Sequence, residues 1–219
     1  MTTSNHDLDR DAAIAGRFVL LDYSPVTVQV RDDEPTRFIQ RKSGTIALLT
    51  DGPGGEVHVP IGAFNVALVD IESARNEEPL FDVFDADSQS MCDLYAGLFK
   101  GCNYAQCVYR ALGDAATIRS SNLLVVERLT VDKAFQGHGL GLAALDGILR
   151  TEAVSFGVAV VEPFPLQHSY ERGTVPPRAV TRDKKKLMRH YEKLGFVAIP
   201  RTQHMGLTWA ALRGRKPLV

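Results

Sequence analysis

Residues Asn122 to Gly157 read NLLVVERLTVDKAFQGHGLGLAALDGILRTEAVSFG, and the rest of the chain is placed relative to them. Leu123 to Val131 is an apolar, β-branched run broken only by Glu127, Arg128 and Thr130, the pattern of a largely buried strand. Gln136-Gly137-His138-Gly139-Leu140-Gly141 follows, and beyond it Leu142, Leu145 and Ile148 recur at helical spacing. The stretch is predicted to be a strand, a short loop and a glycine-rich helix entrance. Without Cβ atoms, glycines let backbone amides come close to a ligand. The first N–H groups of a helix lack intrahelical partners and carry the positive end of its dipole, so the expected guest is a phosphate. Each dipole interaction is worth only about 0.3–1 kcal/mol, so a tight site uses several donors, as a pyrophosphate would allow.

Spacing narrows the ligand. A dinucleotide fingerprint counted from Gly137 finds Gly139 in place but Leu142 where its third glycine belongs, and no Gly-Lys-Ser or Gly-Lys-Thr completes a Walker A loop. What fits is Gln-x-x-Gly-x-Gly, carried by Gln136, Gly139 and Gly141 after a strand ending Leu129-Thr130-Val131. This resembles the acetyl-CoA loop of the GNAT superfamily of acyl-CoA-dependent N-acyltransferases. Tyr191-Glu192-Lys193-Leu194-Gly195-Phe196 is similar to the Tyr-x-x-x-Gly-Phe that closes the next helix of that superfamily. The resemblance covers roughly Leu123 to Trp209.

The resemblance implies an α/β (α+β) fold, a single GNAT-like domain whose mixed central sheet splays between its fourth and fifth strands, flanked by helices. It implies acetyl-CoA as co-substrate, held by Leu129, Val131, Gln136, Gly137, His138, Gly139, Leu140 and Gly141, with the thioester arm paired to backbone in the splayed cleft. Tyr191 aligns with the tyrosine that protonates the departing CoA sulfur. At His138 the amide, not the imidazole, is expected to matter. Family members often carry an asparagine about seven residues before the tyrosine; this chain has Lys184 there, so that contact is not carried over.

The chain has 219 residues, of which 45% are hydrophobic and 23% charged, with a formal charge of −1. That length suits one core that buries about 70% of the unfolded surface, so residues 1–16 are expected to be a mobile tail and residues 17–219 one domain. The balanced charge gives no general attraction to nucleic acid or membrane. Cys92, Cys102 and Cys107 are an odd number without a Cys-x-x-Cys, which suggests neither disulfides nor zinc, and no metal is expected. No apolar run approaches the ~18 residues of a membrane span, and Met1 to Gly16 is polar and acidic, unlike a leader peptide. The expected location is cytoplasmic.

Phe18 to Tyr23, Val26 to Val30 and Gly44 to Thr50 read as strands, and Asp51-Gly52-Pro53-Gly54-Gly55 as the turn of a hairpin whose second strand is Val57 to Val69. From about Glu72 to Gly113 acidic caps and helical spacing take over, with Asp87 or Ser88 before Met91, Leu94 and Leu98. The GNAT superfamily places its helices earlier, so residues 72–113 are expected to be a helical insertion. Val158 to Val161 reads as a buried strand stopped by Pro163 and Pro165. His168 to Arg182 reads as a polar loop, Asp183 as the cap of a helix from Lys184 to Leu194, Phe196 to Pro200 and His204 to Trp209 as a closing strand pair, and the end as a basic tail.

Acetyl transfer needs a held thioester, a neutral amine and an exit for the thiolate. A lysine-like amine has a pKa of about 10.4, so its neutral form at pH 7 costs about 4.6 kcal/mol, which a nearby carboxylate or water relay offsets. Glu127, the only acid in the apolar strand and expected to be buried there, is the candidate base, with Glu162 or water as alternatives and a structural ion pair as the competing role. Arg182, Lys184, Lys185, Lys186 and Arg189 could reach a phosphate or simply form a solvated face. The expected partner is a small-molecule or peptide amine, with no membrane and no nucleic acid except a tRNA acceptor, and the protein a monomer or homodimer. The activity expected is direct acetyl transfer to a primary amine; the rivals are an enzyme that acetylates aminoacyl-tRNA, as some resembling toxins do, and a catalytically silent acyl-CoA-binding protein.

Overall fold

The computed structural model describes residues 19–24, 34–52, 55–114, 117–165 and 177–218. The expected tail of residues 1–16 and the strand expected over Val26 to Val30 lie outside the described residues. The chain runs β1 (Val19–Tyr23), β2 (Ile39–Gly52), β3 (Gly55–Val69), α1 (Ile71–Glu77), α2 (Leu80–Asp85), α3 (Gln89–Leu98), β4 (Phe99–Lys100), β5 (Asn103–Tyr104), α4 (Gln106–Leu112), β6 (Leu123–Val131), α5 (Leu140–Thr151), β7 (Val158–Val161), α6 (Pro177–Glu192), β8 (Val197–Ala198), β9 (Met205–Thr208) and α7 (Trp209–Arg213). A seven-stranded mixed sheet of order β1-β2-β3-β6-β7-β9-β8 organises them, antiparallel throughout except for the β6–β7 pair. This is the expected mixed, helix-flanked sheet.

Side chains of a strand alternate between the faces of a sheet, and that alternation separates two cores. Leu124 and Val126 of β6 and Ala159 and Val161 of β7 join one cluster with Leu140, Leu145 and Ile148 of α5 and, at its margin, Met188 and Tyr191 of α6. Leu123 of β6 and Val158 and Val160 of β7 join the other, with Ile71, Val83, Leu94 and Val108 of α1 to α4. The helical insertion between the third and fourth strands of the sheet is therefore real, and it covers one face where β6 and β7 pair, leaving Ser43, Thr45, Ala63 and Asn65 exposed. The buried apolar side chains of α5 contribute roughly 1.5–3 kcal/mol each, so α5 is docked by burial, and its glycine-rich entrance is free to serve another purpose.

Two registers fix the centre of the molecule. β6 and β7 pair only from Leu123↔Val158 to Val126↔Val161. On the other edge of β6, Val66 faces Val126 while Asn65 faces Arg128, which leaves Glu127 as the extra residue of a β-bulge. A bulge bends its strand and sharpens the local twist. Pro163 and Pro165 then deny β7 any continuation. The sheet splays where these two devices coincide. Gly62, opposite Val131, lets β3 pass the end of β6, since a Cβ there would meet the Thr130 carbonyl oxygen at 2.1 Å.

Several expected boundaries move. The second strand spans Ile39–Gly52, longer than Gly44 to Thr50, because its hairpin partner β3 supports it along its whole length. Asp183 does not cap a helix at Lys184, for α6 begins at Pro177, where proline suits a first turn that needs no N–H. The part of the expected polar loop from Pro177 to Arg182 is thus helical, and residues 166–176 lie outside the described residues. The strand expected to run to Trp209 stops at Thr208, whose hydroxyl accepts a hydrogen bond from the Ala211 N–H (3.2 Å) and caps α7. The segment expected as a basic tail is tied down, with Arg150 donating to the Arg215 carbonyl and the Leu218 N–H to Asp146.

Candidate active site

The splay opens a cavity of about 820 Å³. Along one wall Glu127 to Val131 have β3 on one side and, among the described residues, no strand on the other, so this part of β6 presents an open backbone edge. The glycine loop forms one end of the cavity, which Gln136, Gly137, Gly139, Leu140 and Gly141 line along with Leu129 and Val131. His138 is exposed and does not line it.

The loop has a local explanation. Gly137 and Gly139 hold φ of 89° and 80°, left-handed values that a residue with a Cβ adopts only at a cost. The first amides bonded inside α5 are those of Leu142 and Ala143, both to the Gly139 carbonyl, so those of Gly139, Leu140 and Gly141 come before the helical ladder. Gln136 braces the turn, its side-chain amide donating to the Val131 carbonyl at 2.8 Å. Gly141 sets α5 against β6, a Cβ there lying 3.4 Å from Val131 Cγ2 and 3.6 Å from Leu129 Cδ2.

Tyr191 and Glu127 both line the cavity. Tyr191, on α6, packs against the core shared with α5 and stands 6.1 Å from Phe196, ring centre to ring centre. Burial raises its pKa, so the phenol keeps its proton at neutral pH and is a hydrogen-bond donor. His190 also lines the cavity; burial, then the charges of Lys193 and Lys186, lower its pKa and leave it neutral.

Glu127 departs from expectation. It is exposed, not buried among its apolar neighbours: it continues the face of Leu123 and Val125, past the point where the insertion's apolar cluster covers that face. Arg41 of β2 reaches it, with Nε and Nη2 each 3.0 Å from Oε1. The same guanidinium forks onto Asp87, Nη1 donating to Oδ1 at 2.6 Å and Nη2 to Oδ2 at 2.7 Å. Burial pushes the Asp87 carboxyl up, but the hydrogen bonds and charge of Arg41 together outweigh it and hold the group below its ordinary value. Asp87 is available for this because the neighbouring Ser88, not Asp87, caps α3 by accepting from the Met91 N–H. Sequence reasoning missed Arg41 and the pairing of Asp87, whose partners lie 46 and 86 residues apart along the chain and leave no local pattern.

Glu162, the reserve carboxylate, lines the cavity from the end of β7. Of the basic run on α6, Lys186 reaches the cavity, whereas Arg182 pairs with Asp183 at 3.1 Å and Lys184 bonds Gln203 at 3.5 Å. Among the described residues no group of three or more His, Cys, Asp or Glu could hold a metal ion, and no helix is long and apolar enough to cross a membrane.

No protein-family model and no curated protein matches the chain. Solved structures similar to it include a tyrosine-to-phenylalanine mutant of KacT (TM-score 0.43, 10% identity, 90% of this chain and 99% of that one). A KacTA–DNA complex is similar at TM-score 0.41 and 12% identity over 90% and 97% of the two chains. AtaTR bound with AcCoA is similar at TM-score 0.36 and 10% identity over 89% and 96%. Likenesses this distant carry no argument about activity, which rests on the motifs and the geometry of the cleft.

Proposed function

We propose that the protein is an acetyl-CoA-dependent N-acetyltransferase that passes the acetyl group directly to a primary amine. The observation that carries this reading is the cleft itself: the splay of β6 from β7 joins an anion-binding helix entrance, an open backbone edge, a protonated tyrosine and a carboxylate in one cavity. The residues present fit acetyl-CoA. Amides of Gly139, Leu140 and Gly141 suit its pyrophosphate, the β6 edge from Glu127 to Val131 suits the amide-bearing arm, and Lys186 is the basic side chain at hand for a further phosphate.

Bound acetyl-CoA supplies an activated acyl group. The chain's own residues manage protons. An acceptor ammonium loses two protons in becoming an amide, while the C–S bond breaks and the C–N bond forms. One proton leaves through Glu127, or through Glu162, to solvent. The other balances the departing sulfur, for which the Tyr191 O–H is the donor; a thiol of pKa about 8.5 already leaves readily, so that help is modest.

A second reading, with the α-amine of an aminoacyl-tRNA as acceptor, is favoured by Lys186, which lines the cavity, with Lys185 and Arg189 exposed on the same helix. Phosphate contacts would give its turnover a steep inverse dependence on salt. Calorimetric titration with acetyl-CoA tests the common core of both readings. Micromolar binding that disappears in Gly139→Glu is expected, and a folded protein that binds no acetyl-CoA would end the proposal.

A further inference from the structure

Asp87 belongs to the helical insertion, in the turn between α2 and α3, yet its carboxylate is bonded to β2 of the sheet through Arg41. Its side chain is only 5% exposed although it is charged. A carboxylate so enclosed is ordinarily a liability unless its pairing is geometrically good, and here the pairing is the two-point fork of Arg41. That fork fixes the guanidinium plane, and the plane fixes where Nε and Nη2 meet Glu127 Oε1. Both contacts go to one oxygen of a residue that lines the cavity, which leaves Oε2 outside the fork.

We propose that Asp87 and Arg41 are positioning residues for the transfer site, so that the insertion sets the acceptor side by holding the Glu127 carboxylate in place. The bulge makes this necessary: as the unpaired residue of β6, Glu127 lacks the ladder contacts that would otherwise orient it. Misplacement of a reacting group by about 1 Å can cost on the order of 100-fold in rate. The proposal rests on the acetyl-transfer reading for its kinetic arm, but its geometric arm stands independently.

The geometric arm uses protein labelled with ¹³C at the glutamate carboxyl carbon, with the Glu127 signal assigned by its loss in Glu127→Gln. In Asp87→Asn that resonance should shift, and Asp87→Glu should return it toward the wild-type position. An unmoved resonance in a folded Asp87→Asn protein would overturn the proposal whether or not the protein transfers acetyl groups. In the kinetic arm, Asp87→Asn and Arg41→Lys should each lower kcat about tenfold or more while the KM for acetyl-CoA stays within about twofold, with Asp87→Glu recovering part of the loss. Unchanged kcat in both variants would overturn it equally. Absence of acetyl-CoA binding in the wild type removes the transferase reading alone and leaves the resonance test in force.

Discussion

The two faces of the central sheet solve different problems by different physical means. On the face of α5 and α6 the candidate site is built from backbone: left-handed glycines at 137 and 139, amides ahead of the helical ladder, and a strand edge without a partner among the described residues. On the insertion face it is built from side chains of three distant segments, with Glu127 of β6 at the cavity and Arg41 of β2 and Asp87, between α2 and α3, behind it. Backbone recognition constrains residues that are neighbours in sequence. Side-chain networks constrain only their positions in space. A common co-substrate would be held by the first kind of surface and a particular acceptor by the second.

The largest effect expected, and the hardest test of this division of labour, is at the loop. Gly139 has φ of 80° and a Cβ there would meet nothing within 4 Å, so space is ample and the penalty of a substitution comes from backbone conformation and from what the side chain does to the ligand. Glutamate there adds left-handed strain of about 1–2 kcal/mol and a negative charge at the anion site. Acetyl-CoA affinity should fall at least about 100-fold by calorimetry, with circular dichroism unchanged because α5 is held by its buried leucines. Retained affinity would move the anion site away from the helix entrance.

Next in size is Glu127→Gln. Removal of a positioned base costs on the order of 10²–10⁴ in rate, and a fall of about 100-fold in kcat/KM with an unchanged acetyl-CoA dissociation constant is expected. A fall below twofold would leave Glu127 as the partner of Arg41 and pass the role of base to Glu162. Tyr191→Phe belongs to the other face and should cost less, roughly tenfold in kcat, since the phenol assists a competent leaving group. The ring remains to fill its place beside Phe196, so unaltered turnover would make Tyr191 a packing residue.

The same contrast explains what the sequence discloses. The strand, loop and helix from Leu123 onward are legible because each requirement is local: β-branched alternation, glycines where φ is positive, leucines at helical spacing. The bulge left a trace that is easily passed over. Apolar residues on the α5 face fall at 124 and 126 and then at 129 and 131, a change from even to odd positions at Glu127. Read as a plain interruption, Glu127 looks like a buried acid; read as a slip of phase, it becomes the exposed residue of a bulge. Arg41 gives no such trace, being one charged residue among several in a half-exposed strand. The start of α6 at Pro177 was hidden by the pair of prolines at 176 and 177, which suggests a loop until the first-turn tolerance of proline is considered.

The smallest effect concerns acid. Because Arg41 holds the Asp87 carboxyl below its ordinary value in the folded protein, the unfolded chain, at about 3.9, takes up the proton first. The stability that Asp87 contributes is therefore fully present above the unfolded value and is lost as pH falls through the folded one. At neutral pH Asp87→Asn should be less stable than wild type by on the order of 1 kcal/mol, a modest amount because Arg41 is half exposed. Below about pH 4 the two proteins should begin to converge, since the unfolded chain then takes up a proton that the folded carboxylate accepts only at lower pH. Urea midpoints measured from pH 7 down to the lowest pH at which both proteins fold will show this. A constant gap would mean that charge does not tie the insertion to β2 in solution; apolar packing of α1 to α4 would then hold that face alone, and Glu127 would owe its position to the bulge and not to Asp87.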